Sequence, residues 1–454
     1  MRMGDSRTIA TVMETVVTKR ASETILKPLK RALAAWLHTS TWTIPLTYAA
    51  AAMLCAFVVP RFGNLLFPSL SSEISVNSAI AIYSSTASGM MALTSIVFSF
   101  TFLMVQFSAT AYSPRLVVWI VRDPVISHAL GVFIATFVYA LAELAWVDRA
   151  NSGRVTFTGL LMIVALITAS ICMFISLIHR IGTLQVNRIL VFLGDKGREI
   201  IEQFYPPVTV IEVCYPPQPS MPSCRQTLLH RGHPRIVQSL DIPTLVQIAS
   251  RNQCAIEMAA GVGDAVFDAS PILRVFGGNA PISDEALRDA VELGNSRTFE
   301  QDPKYAIRLL VDVAIRALSQ AVNDPTTAVQ ALDQIEDLLI RLGRRRLGTG
   351  EFRDAQGSIR LSIIVPKWED FLRLALDEIR FYGASSIQVM RRMKALLSEL
   401  TSLLPEDRRP SVLEWLSRLQ VTIDRSFRTQ QDKIEASTED RQGMGVSRAR
   451  ATGA

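Results

Sequence analysis

Residues Thr86–Pro124 read TASGMMALTSIVFSFTFLMVQFSATAYSPRLVVWIVRDP, and their reading decides the fold. From Ala87 to Ala109 there is no charge, long enough for a helix to cross a bilayer core of roughly 30 Å. The segment is more than an anchor. Ser88, Ser95, Ser99 and Gln106, with Ala92 between them, recur at helical spacing and so share one face. It ends in Ser113-Pro114-Arg115 and Arg122-Asp123-Pro124, which place helix breakers and cations where the chain would leave lipid.

Working outward, the apolar residues are unevenly spread. The chain has 454 residues, 49% hydrophobic and only 19% charged, with a mean hydropathy of +0.27. A wholly soluble chain of this length carries about a quarter charged residues. The excess lies between Thr41 and His179, and the remainder reads as an ordinary soluble chain, implying two domains. Hydropathy places spans at about 42–60, 87–109, 125–147 and 155–178, inside a transmembrane domain over 42–180, with residues 75–83 readable as a helical lead-in to the second. Residues 1–41 read as a basic amphipathic arm on anionic lipid, or alternatively packed on the soluble domain. Lys and Arg crowd the N-terminal flank and follow the fourth span, so both termini are expected in the cytoplasm. No cleavable signal peptide is expected.

Residues 181–224 read as a helical extension and a Pro-rich linker, and 225–282 as a small mixed segment. Residues 283–428 read as a helical region with one strand at Ser358–Val365 and helices at Asp284–Leu293, Pro303–Ser319 and Pro325–Arg346. The polar stretch 429–454 is expected to be disordered. The fold class is therefore membrane α-helical: four transmembrane helices followed by a cytoplasmic α+β domain, a small mixed sheet plus a helical bundle.

Four stretches in this order, IVFSFTFLMVQFSATAYSPR, GVFIATFVYAL, GDAVFDASPILRV and LVDVAIRALSQAVNDPTTAVQALDQI, resemble a bacterial family of predicted membrane proteins. That family is known only as domain of unknown function 2254. The resemblance covers most of the chain and implies an inner-membrane location without an activity or site residues. Gln320 departs from it, standing where relatives place a proline, and His233–Gln238 is a weak copy of a Ser-Gly-Tyr-Val-Gln-like stretch.

Several residues are candidates for function. Ser95, Ser99 and Gln106 could line a water-filled path or serve as glue between helices. Glu143, a carboxylate inside the third span, is a functional candidate or a snorkelling residue near the interface. Arg115 and Arg122 could meet lipid phosphates or anions, or simply hold topology. Asn323 and Asp324 suggest a ligand loop, yet Asp324-Pro325 also starts a helix well. Asp264 and Asp268 lack the further oxygen donors of a calcium loop.

His128 and His179 have no second ligand at helical spacing, and the five cysteines lack zinc-site spacing, so no metal is expected. No nucleotide loop or nucleophile elbow is present; neither enzymatic activity nor a cofactor is expected, and no small-molecule substrate is identified. Nucleic acid is not an expected partner. Membrane lipids are, together with further copies of the chain, since four spans barely enclose a path. Two functions remain: an oligomeric channel-like or transport-related protein gated by its cytoplasmic domain, or a membrane-anchored sensor or scaffold.

Overall fold

The structure is a computed structural model and describes residues 43–66, 75–111, 124–147, 155, 157–182, 186–205, 223–348 and 350–445. The basic arm, the Pro-rich linker, Arg115, Arg122 and residues 446–454 lie outside the described residues. The chain divides into two compact units.

Among the described residues the first unit holds four helices, all long and apolar enough to cross a membrane: α1 (Thr43–Leu66), α2 (Val76–Ala111), α3 (Pro124–Trp146) and α4 (Phe157–Gly182). Two boundaries differ from the hydropathy reading. Helix α1 runs on through Pro60, which removes one backbone donor without ending the helix. Helix α2 begins eleven residues before Ala87 and spans 36 residues, about 54 Å at 1.5 Å per residue. Ser75 starts it, its Oγ accepting the Ser78 N–H at 3.2 Å. Nothing between Val76 and Ala87 is Pro, Gly or charged, so nothing stops the helix there.

Small residues let these helices approach closely. Ala52 and Ala56 of α1, Ala79 and Ala87 of α2, and Ala135, Ala140 and Ala142 of α3 are buried together. A Cβ on Gly131 of α3 would lie 2.8 Å from the Tyr48 ring of α1, so only glycine admits that ring. Helices α3 and α4 are tied by the buried Thr136 and Ser170 hydroxyls, 2.9 Å apart. A second cluster joins Val97 of α2 to Ile126, Ala129 and Phe133 of α3 and Leu177 of α4.

The second unit includes α5 (Val186–Phe204) and, among the described residues, two sheets rather than one. The larger has the order β1 (Cys224–Leu229), β5 (Pro271–Gly277), β3 (Cys254–Met258), β8 (Ile359–Ser362), β7 (Glu351–Arg353). It is antiparallel except where β3 meets β8, with Ile256 beside Leu361. The smaller has the order β4 (Ala265–Val266), β2 (Arg235–Leu240), β6 (Val291–Gly294). Their apolar faces share a core with Leu245 and Ala249 of α6 (Ile242–Arg251).

The stretch expected to be one helix over Asp284–Leu293 divides into a short helix, α7 (Asp284–Asp289), and strand β6. Pairing of Leu293 with Val237 and Val291 with Leu240 overrides helical propensity there. Gly350 precedes β7 with φ +75°, and a Cβ on it would fall 2.2 Å from the Ile363 carbonyl, so no other residue fits unstrained.

The helical part comprises α8 (Pro303–Ala317), α9 (Pro325–Gly343), α10 (Trp368–Tyr382), α11 (Ile387–Leu403), α12 (Arg409–Ser426) and α13 (Gln430–Ser437). Helix α8 is central: Ile307, Leu309, Leu310, Val311 and Val313 are all buried, so it is apolar on nearly every side. Arginines join neighbours at the edges. Arg308 bridges to Glu378 of α10, and Arg198 of α5 to Asp337 of α9 at 2.7 Å.

The expected disorder after Thr429 is corrected as far as Gly445. Thr429 caps α13 by accepting the Asp432 N–H, Ala436 is fully buried, and Arg391 of α11 donates to the Glu435 carbonyl at 2.6 Å. Polar composition hid this segment because hydrogen bonds and ion pairs, rather than an apolar stripe, seat it.

Candidate functional site

Helix α2 packs through a seam that includes Tyr83, Ala87, Met90, Thr94 and Val97, buried or half-buried at spacings of three and four. The polar stripe lies one residue on, about 100° around the helix. Ser88, Ala92, Ser95, Ser99 and Gln106 are all exposed. The hydroxyls satisfy themselves locally: Thr94 donates to the Met90 carbonyl at 2.7 Å, Ser95 to Met91 at 3.0 Å and Thr101 to Val97 at 2.8 Å. Ser95 and Ser99 border a cleft of about 680 Å³ with Thr94, Phe98, Ser127 of α3 and Pro45 of α1. Large apolar side chains alternate with the stripe, Met91, Ile96, Phe100 and Phe102 among them, each at least half exposed. Val97 packs beside Ile126 near the start of α3, and α2 continues from there for more than ten residues, roughly 15 Å or more.

Glu143 occupies a different kind of place. It is buried, 7% exposed, rather than snorkelling outward. Tyr139, one turn earlier on α3, hydrogen-bonds its carboxylate, and the Tyr139 hydroxyl also reaches the Gly159 carbonyl of α4 at 3.4 Å. Tyr83 arrives from α2. A Cβ on Gly159 would lie 3.2 Å from the Tyr83 hydroxyl and 3.3 Å from Glu143 Oε2, so glycine leaves room for both oxygens to converge. Glu143 Oε1 and the Tyr83 hydroxyl are buried without a hydrogen-bond partner among the described residues. Charging a carboxyl inside a bilayer costs on the order of 3 kcal/mol or more. Tyr139 at i−4 was a legible partner for Glu143; Tyr83 and Gly159 were not, since they come from other helices.

The remaining candidates have local roles. Asp324 caps α9, accepting the Thr327 N–H at 3.2 Å and the Thr327 hydroxyl at 2.6 Å, while Asn323 takes the left-handed conformation, φ +47°, that leads into the cap. Asp264 accepts the Gly261 N–H and Asp268 the Gly232 N–H, each at 2.9 Å. His128 meets the Tyr48 hydroxyl at 3.2 Å. Asp302, 2% exposed, caps α8; burial pushes its carboxyl up despite Lys304 and Arg297 nearby. No cluster of His, Cys, Asp and Glu suited to a metal occurs among the described residues.

Residues 38–399 match the model of a family described as predicted membrane protein (DUF2254). The chain belongs to this family. It is 26% identical over 424 residues to the uncharacterized protein Mb1321c of Mycobacterium bovis and to the uncharacterized protein Rv1290c of Mycobacterium tuberculosis. Each alignment covers 89% of this chain and 80% of the relative. No solved structure matches it.

Proposed function

We propose that this protein is a conduit of the bacterial inner membrane, assembled from several copies with the α2 stripe facing a shared axis. The exposure of Ser88, Ser95 and Ser99 carries this reading: among the described residues no hydrogen bond ties them to another helix of their own chain, whereas neighbouring copies of α2 would enclose them. Hydroxyls bonded to their own helix tolerate lipid, yet they are well suited to a wetted wall. The excess of Lys and Arg in the N-terminal flank supports cytoplasmic termini, with Arg115 and Arg122 at the inner mouth against lipid phosphates.

The test is efflux of potassium or chloride from liposomes holding the full chain, together with its oligomeric state in mild detergent. Passive flux is expected, reduced severalfold by Ser99→Leu and by Gln106→Leu. A monomer without flux would overturn it.

A second reading, a membrane-anchored sensor or scaffold, is favoured by a cleft of about 410 Å³ between α10 and α12. Arg380, Arg418 and Arg425 line it with Ser417 and Thr422, a set suited to an anionic regulator.

A further inference from the structure

Tyr83, Tyr139 and Glu143 meet in the membrane unit at the level of Gly159, near the end of α3. All three are more than nine-tenths buried. What surrounds Glu143 is hydroxyl, carbonyl and hydrocarbon. Among the described residues no Lys, Arg or His pairs with it, and the one further titratable group in the cluster is Cys55 of α1, beside Tyr139. Asp148, Arg149 and Arg154 of the following loop lie outside the described residues.

The hydrogen-bond inventory of this cluster is short by one. A charged carboxylate only accepts, a neutral one also donates, and a phenol does both. Tyr139 already serves both Glu143 and the Gly159 carbonyl. That leaves Glu143 Oε1 and the Tyr83 oxygen, both buried and both unpartnered. A hydrogen added at the carboxyl supplies a donor and removes a charge that no cation among the described residues balances. We propose that Glu143, flanked by Tyr83 and Tyr139, is an intramembrane proton-binding site. Since the three oxygens belong to α2 and α3 and converge over α4, a proton arriving or leaving changes the bonds between helices and not only those within one.

The test is infrared difference spectroscopy on the full chain in proteoliposomes, titrated from mildly acidic to mildly alkaline pH. The expected result is a carbonyl stretch of a neutral carboxylic acid that fades as pH rises and is absent from Glu143→Gln. Tyr139→Phe, which removes a hydroxyl bonded to the carboxylate, should retain the band to higher pH; it provides a second readout should Glu143→Gln fold poorly. A Glu143 band that is missing at every pH, or constant across the range, would overturn the proposal. So would a band whose loss follows sodium concentration at fixed pH, which would make the ligand a metal cation. The titration needs no flux, so it stands or falls apart from the conduit reading.

Discussion

Arg392 of α11 offers a sharp test of what holds the helical part together. Its side chain is 4% exposed, donates to Asp333 of α9 at 2.8 Å and also pairs with Glu336. The two acceptors differ: Asp333 is 49% exposed and can return to water, whereas Glu336 is 15% exposed and cannot. Arg392→Met keeps the volume and strands Glu336. Leaving one partner of a buried pair alone costs about 3–5 kcal/mol, and water around Asp333 places this case near the lower end. At about 1.4 kcal/mol per decade, that is on the order of a hundredfold in the local opening constant. Amide hydrogen exchange on α9 and α11, measured in the full chain, reads this directly. The double variant Arg392→Met/Glu336→Leu should regain most of the protection, because an apolar pair replaces a buried ion pair at little cost. Unchanged exchange in Arg392→Met, or a double variant no better than the single, would refute the reasoning.

Two further outcomes follow from the second unit. The hydrogen bonds from Arg308 hold the Glu378 carboxyl below the usual carboxylate range. Its contribution is therefore full above the unfolded value of about 4.3 and is lost as pH falls through the lower folded value. Glu378→Gln should be less stable than the parent near neutrality and should converge with it in acid; a gap constant with pH in unfolding curves would contradict this. Burial pushes the Cys254 thiol up against the opposing charge of Arg360, while Cys224 is exposed. A polar maleimide should label Cys224 in the native chain and Cys254 only after unfolding, as peptide mass spectrometry would show.

How much of this was legible depended on how local each cause is. The four spans are written in apolar runs, uncharged except for Glu143 in the third, and Asp302-Pro303 and Asp324-Pro325 announce α8 and α9 by capping chemistry alone. The lead-in over residues 75–83 could be read as helix, but Asn77, Ser78, Ser84 and Ser85 lower the local hydropathy and kept it outside the second span, with which it forms one continuous helix. Strand β6 needed its partner β2, more than fifty residues earlier, to outvote a helical pattern. The setting of Glu143 was the least legible. A carboxylate is visible in any sequence, but its burial, and the oxygens that face it, are properties of three helices together.

The parallel pairing of β3 with β8 has a consequence for biogenesis. Ile256 and its neighbour Leu361 are separated by about a hundred residues, so on a ribosome the edge of β3 emerges long before the strand that covers it. Non-local pairing of this kind is slow and leaves an open edge on the nascent chain. Until α8, α9 and then β8 have been synthesised, that edge of the sheet has no strand to cover it. Truncations ending before Ile359 should yield chains whose soluble portion aggregates even where the spans insert correctly.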